Sequence, residues 1–242
     1  MSNSVPNQEF KIYALSEQAV TLSFGNEISD SIAFEINKFN GLLNSNPFSG
    51  FITTVSAYTT LTIYFDIITV YKSNLPGENV FEKVSNYLKN LKRIHQDSIL
   101  AAQNRLSIPV HYGGLHAPDL QEVANFTKLS IPQIIELHCA AVYKVYMIGF
   151  VPGFAYLGGM DEQLATPRKD TPRLTIAAGA VGIAGKQTGI YPLETPGGWQ
   201  IIGQTPVKLF DINRQQPSFL KAGDEVKFHS ISLAEFNVLA AK

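Results

Sequence analysis

Eleven of the 18 glycines and six of the 13 prolines fall between Gly149 and Pro206, a stretch of 58 residues in a chain of 242. The only tryptophan, Trp199, lies there as well. Glycine weakens helix and strand interiors, and proline removes a backbone donor, so this stretch cannot form long regular elements. It must be either a flexible linker or a set of short strands joined by tight turns. Its aromatic and branched residues, such as Phe154, Tyr156, Val181, Ile183 and Ile201, favour the strands. Frequent turn signals between short strands point to a closed β-barrel rather than a layered α/β fold.

The rest of the chain is more conventional. Hydrophobic residues make up 45% and charged residues 16%, enough apolar material for a core. The formal net charge is −1, so no global field draws in nucleic acid or an anionic membrane. The N-terminus lacks a basic region followed by an apolar run, and no apolar stretch approaches a membrane span. One cysteine, Cys139, excludes an internal disulfide framework. The expectation is a cytoplasmic protein.

Residues 10–100 alternate between α and β patterns. Phe10–Leu15 and Ala19–Phe24 read as a hairpin across Ser16–Gln18. Ser29 is placed to cap a helix through about Leu43, with Ile32, Ile36 and Phe39 on its apolar stripe. Phe51–Ala57 and Thr59–Asp66 read as strands. A second helix is expected near Glu78–Ile94, with Val80, Val84, Tyr87, Leu88 and Leu91 on one face. The order ββαββα describes a small α+β module with an antiparallel sheet.

A joint is expected at 96–104. Beyond it, Leu106–Val110 reads as a strand. Pro118 opens a short helix through Ala124, and Ser130-Ile-Pro-Gln133 has capping-box spacing for a helix through about Ala141. Further strands are expected at 143–150, 174–177, 181–184, 201–203, 208–210 and 225–229. The division into domains is therefore 1–100 and 101–242.

Familiar catalytic motifs are absent. Gly185-Lys186-Gln187-Thr188 lacks two residues of a phosphate-binding loop, since Ala180 and Gln187 stand at the required positions. There is no G-x-G-x-x-G and no G-x-S-x-G. His111 and His116, five apart, do not have a zinc spacing, so no metal is expected. His138 falls on the apolar stripe of its helix. It reads as a core histidine or, if it reaches a cleft, as a general acid/base.

The candidate site comes from three runs. Gly149-Phe-Val-Pro-Gly-Phe-Ala-Tyr-Leu-Gly-Gly159 supplies aromatic walls in Phe150, Phe154 and Tyr156. Pro167-Arg-Lys-Asp-Thr-Pro-Arg173 places two of the five arginines, Arg168 and Arg173, each after a rigid proline. Such forks suit carboxylate or phosphate, or pair with acids to staple loops. Gly179–Gly203 offers Lys186, Gln187, Tyr191, Trp199 and Gln200 around glycine turns. Arg168, Arg173 and Lys186 are candidates for anionic groups. Gln187, Tyr191 and Gln200 are candidate substrate donors, with Phe154 and Trp199 as walls.

Ile108-Pro-Val-His-Tyr-Gly-Gly114, Pro118-Asp119-Leu120, His138, the run 149–159, Pro167-Arg168, Pro172-Arg173, the run 179–185, Thr188-Gly-Ile-Tyr-Pro192, Pro196-Gly-Gly-Trp199, Ile202-Gly203, Thr205-Pro206 and Gly223-Asp224 together resemble the KipI/PxpB family. Its members are called the B subunit of 5-oxoprolinase, allophanate hydrolase subunit 1 or sporulation-kinase inhibitor. The resemblance spans nearly the whole chain and is densest over 105–229. It implies a ferredoxin-like N-terminal module and a cyclophilin-like C-terminal barrel. It also implies two partners, a KipA-like protein (the C subunit) and a LamB/YcsF-like protein (the A subunit). Together the three open 5-oxoproline to glutamate with ATP hydrolysis.

On this basis ATP belongs to the complex, the substrate is a small molecule, and the chain alone is expected to be inactive. No biotin-acceptor Met-Lys pair is present. The alternatives are an inhibitor docking on a sensor histidine kinase and a carboxyltransferase-like component of a biotin-dependent urea carboxylase. Three positions depart from the family pattern: Ala117 replaces a glycine, Ser16–Ala19 replaces a Gly-Asp, and Gln204 replaces an arginine.

Overall fold

A computed structural model describes residues 10–94 and 104–241. Its contacts divide the chain into two compact units, Met1–Ala102 and Gln103–Lys242. The expected joint, apart from Asn104, lies outside the described residues.

The first unit runs β1 (Lys11–Ser16), β2 (Ala19–Ser23), α1 (Asp30–Ser45), β3 (Phe51–Ser56), β4 (Thr60–Phe65), α2 (Ile67–Lys72) and α3 (Val80–Ile94). The strands form one antiparallel sheet in the order β1-β2-β4-β3. Alternate residues Val20 and Leu22, and Leu61, Ile63 and Phe65, are buried against Ile36, Phe39 and Leu43 of α1 and Val84, Leu88 and Leu91 of α3. The Ser29 hydroxyl accepts from the Ile32 N–H at 3.3 Å, as its capping role requires. Helix α2 has no counterpart in the sequence reading. Its six residues follow β4 directly, and Asp66 starts it by accepting from the Thr69 N–H at 2.7 Å.

The second unit runs β5 (Arg105–Val110), α4 (Leu120–Thr127), α5 (Ile131–Ala140), β6 (Tyr143–Ile148), β7 (Ala155–Gly158), β8 (Arg173–Ile176), β9 (Ala180–Ala184), β10 (Gln187–Ile190), β11 (Thr195–Gly197), β12 (Gln200–Gln204), β13 (Glu225–Ser230) and α6 (Leu233–Ala240). Seven strands form a sheet ordered β12-β9-β10-β7-β6-β13-β5. His111, one residue past β5, exchanges backbone hydrogen bonds of 2.8 and 3.0 Å with Gln204 of β12. That bridge brings the sheet nearly to closure. Strands β8 and β11 form a separate two-stranded ribbon.

The inner core comprises Ile108, Val110, Tyr143, Val145, Leu157, Val181, Ile183, Ile190, Val226 and Phe228, with Leu120, Val123 and Ile134 packed from α4 and α5. Two expectations fail locally. Residues 208–210 form no strand, only an isolated bridge from Phe210 to Ser218. Helix α4 starts two residues after Pro118, with Asp119 as its N-cap residue. The Asp119 side chain makes no cap bond because its carboxylate is committed elsewhere.

Candidate functional site

Every residue of β9 is buried. Val181 and Ile183 point into the inner core, whereas Ala180 and Ala184 belong to a second cluster with Phe154, Ile176, Tyr191, Trp199 and Ile201. This aromatic cluster therefore lies on the outer face of the sheet, beside the β8–β11 ribbon. Gly182 and Gly189 face each other in the β9–β10 register. A Cβ on Gly189 would sit 3.0 Å from Trp199 Cζ3 and 3.1 Å from Phe154 Cζ, and one on Gly182 would sit 3.1 Å from Trp199 Cβ. The paired glycines thus make a flat bed that admits the indole. Phe154 meets Trp199 edge-on at 5.5 Å, Tyr191 at 5.2 Å and Tyr156 at 4.8 Å.

Phe154, Tyr191 and Trp199 are each no more than 5% exposed. They are a buried floor rather than a contact surface. Tyr156, two residues beyond Phe154 and on the same strand face, is half-buried. Phe150 is 59% exposed and holds φ at 67°, a left-handed conformation that is unfavourable for a bulky side chain. Short backbone bonds from Val151 to Gly149 and from Phe154 to Val151 fix that turn.

An ion network adjoins the aromatic floor. Arg173 donates to both oxygens of Asp119, and the Ile201 N–H donates to Asp119 Oδ2 at 2.7 Å. Lys169 Nζ lies 3.0 Å from Asp119 Oδ1 and 2.6 Å from Glu122 Oε2. Gln200, 3% exposed, donates to the Pro167 carbonyl at 3.2 Å and accepts from Lys169 at 3.3 Å. Burial raises the Asp119 pKa, but the bonds from Arg173, Ile201 and Lys169 outweigh it and hold the carboxyl below its ordinary value. Arg173 and Gln200 thus staple the loop 167–173 to α4 and β12.

Arg168 is exposed, and no hydrogen bond or ion pair involves its side chain among the described residues. It lies near two phenols. Burial raises the Tyr156 pKa and pushes that of Tyr191 up to about 12, while the Arg168 charge pulls against both shifts. Lys186 is in an exposed pair with Glu162 at 2.6 Å. Gln187 is half-exposed at the start of β10 and has a partner of its own.

His138 lies inside the barrel with no exposure, stacked on Phe228 at 4.6 Å. Its Nε2 is 3.0 Å from Thr188 Oγ1, and its Nδ1 is 2.7 Å from the Tyr112 hydroxyl. Thr188 already donates its proton to the Gly182 carbonyl, so Nε2 carries hydrogen and Nδ1 accepts from Tyr112. Burial depresses the imidazole to about 3, which leaves it neutral. Of its two sequence readings, this geometry matches the hydrogen-bonded core histidine.

The structure thus gathers Phe154, Tyr191 and Trp199, sets Arg168 at their rim and places Arg173 and Gln200 in the adjoining staple. Gln187 shares the outer face of β10 with Gly189, Lys186 is paired with Glu162, and His138 lies inside the barrel. The sequence reading missed Lys169 and the role of Asp119. Asp119 stood in the Pro118-Asp-Leu motif, but nothing local links it to Arg173, 54 positions away. Among the described residues there is no group of three or more side chains able to hold a metal, and no helix long and apolar enough to cross a membrane.

Residues 10–220 match the family "carboxyltransferase domain, subdomain C and D". The chain is 41% identical to the B subunit of 5-oxoprolinase from Bacillus subtilis (strain 168), over 94% of this chain and 95% of that one. It is 55% identical to the Haemophilus influenzae protein of the same name, over 51% of this chain and 58% of that one. Among solved structures, TTHA0988 superposes with a TM-score of 0.76 at 32% identity, over 89% of this chain but 40% of that one. The aromatic floor, the Pro-Arg loop and the glycine bed all fall within the matched span, and the chain belongs to the carboxyltransferase subdomain C and D family, in the branch that includes the B subunit of 5-oxoprolinase.

Proposed function

We propose that this chain is the B subunit of an ATP-dependent 5-oxoprolinase, which opens 5-oxoproline to glutamate together with a KipA-like partner and a LamB/YcsF-like partner. The observation that carries the reading is the 41% identity to a protein of that name along essentially the full length of both chains. The chain works in the cytoplasm and is inactive alone. ATP is assigned to the complex as a whole.

The site is the rim formed by Arg168, Tyr156 and Phe150 above the floor of Phe154, Tyr191 and Trp199. Gln187 shares the outer face of β10 with Gly189, which pairs with Tyr156, and so borders that rim; Lys186 is paired with Glu162, Arg173 and Gln200 set the loop that carries Arg168, and His138 stiffens the barrel behind β10. Driving a lactam open by phosphorylating its amide oxygen needs cations near the developing charge and a fixed ring. A rim of this kind answers the second need, by holding the ring in place.

The domain assignments follow the same line. Apart from the short α2, the order ββαββα is what a ferredoxin-like β-α-β-β-α-β unit becomes when its last strand is moved to the front, which supports a ferredoxin-like domain over 1–100. The nearly closed seven-stranded sheet supports a cyclophilin-like barrel over 101–242.

The test is reconstitution. The three purified proteins together should hydrolyse ATP in response to 5-oxoproline, and omission of this chain should abolish the response. A second reading, a carboxyltransferase component, is favoured by the family match alone. It requires carboxyl transfer from a biotinylated partner and no lactam-dependent ATP hydrolysis.

A further inference from the structure

The three cations that the sequence offers for anion binding are not equivalent in the fold. Arg173 has its fork filled by Asp119, and Lys186 faces Glu162. Lys169, which joins them in the structure, is held between Asp119 and Glu122. Each of these charges is met by a carboxylate of this chain. The Arg168 guanidinium is not, although the backbone on either side of it is tied down. The Pro167 carbonyl accepts from Gln200 at 3.2 Å, and the Lys169 N–H donates to the Gly198 carbonyl at 2.7 Å. One residue earlier, Thr166 bridges to Gly185. Pro167 fixes its own φ as well. With the backbone already immobilised, a ligand that meets this unpaired guanidinium has only the side chain left to order.

We infer that Arg168 is the carboxylate-reading residue of the site: it grips the acid group of a small cyclic carboxylic acid in a two-pronged bond, with the ring of the ligand lying against Tyr156. Arg173, Lys169 and the carboxylate of Asp119 are positioning groups that hold the 167–173 loop and do not touch the ligand. The position of Arg168 beside two phenols agrees with this, because the phenols stay protonated at neutral pH and bring no competing negative charge. The inference rests on the 5-oxoprolinase reading, which supplies the acid in question.

The experiment uses the reconstituted complex of all three proteins. Two quantities are measured: KM and kcat for 5-oxoproline, and the inhibition constant of its neutral carboxamide. Arg168→Gln should raise KM for the acid about 10–100-fold with little change in kcat, as expected for loss of a charged hydrogen-bonded pair used for binding. The inhibition constant of the carboxamide should stay within about twofold, since a neutral amide gives Arg168 no charge to pair with. Arg168→Lys should recover part of the loss, because it keeps the charge without the fork. Lys186→Gln should leave both constants unchanged. An unaltered KM in Arg168→Gln overturns the inference, as does an equal loss for acid and amide. A wild-type complex with no lactam-dependent ATP hydrolysis instead overturns the underlying reading, and the inference with it.

Discussion

Arg173 and Asp119 meet fork to fork, at 2.7 Å and 2.5 Å, with Asp119 only 2% exposed. The carboxylate also takes the Ile201 N–H and approaches Lys169, so three chain segments converge on one side chain. Asp119→Ala should destabilise the protein by about 3 kcal/mol, because it leaves two cations and a buried N–H without their partner. Glu122→Gln, at the 56% exposed end of the same network, should cost less than about 1 kcal/mol. Urea unfolding of the two variants compares them directly, and equal losses would show that the network does not centre on Asp119.

Acid should weaken the fold through His138. Its folded pKa is lowered to about 3 from an ordinary 6.5, so below pH 6.5 the unfolded chain binds more protons than the folded one. The stabilisation is complete above that value and drains away as pH falls towards 3. At pH 5 the deficit from this residue is about 2 kcal/mol. The low pKa of Asp119 acts in a lower window, below the ordinary carboxylate value of 3.8. Thermal melts should stay nearly level from pH 7.5 to 6.5 and fall increasingly from there to pH 5. His138→Asn, though less stable throughout, should flatten that slope. A slope unchanged by the substitution would place the titrating group elsewhere.

The glycine bed beneath Trp199 can be read optically, because the chain has no other tryptophan. Gly189→Val forces branched carbons into space already occupied to within about 3 Å by the indole, and should cost about 1–3 kcal/mol. The indole should lift towards water and its emission move to longer wavelength. If emission and stability both match the wild type, Trp199 does not lie on that bed.

Lys186→Gln should alter the free energy of unfolding by no more than about 0.5 kcal/mol, since its pairing with Glu162 is exposed at both ends, 70% and 77%. A larger loss in denaturant titration would mean that the pair is buried by something other than its own unit.

Much of the fold was legible because local signals agreed with global ones. Ser29 and the Ser130–Gln133 box marked the starts of α1 and α5. The β1–β2 hairpin followed from two apolar runs and a short polar turn. What escaped was short or glycine-bearing. Strands β10 and β11 have four and three residues and contain Gly189 and Gly197, so neither shows a period-two pattern. The aromatic cluster of the candidate site could be found because large rings cluster wherever a sheet face needs cover. The partners of the arginines could not, since Asp119 reaches Arg173 only once the barrel has formed.

Strand β13, at 225–230, lies between β5, at 105–110, and β6, at 143–148, and is parallel to the first. The earliest strand of the barrel therefore has no neighbour on that side until more than a hundred further residues have been made. On the ribosome β5 must wait as an open edge while the aromatic strands assemble. This sequence-distant pairing raises the contact order and slows the final step. Release of the C-terminal segment, rather than formation of the helices, should set the moment at which the second unit folds, and a chain stalled before residue 225 should be prone to aggregation through that unfilled gap.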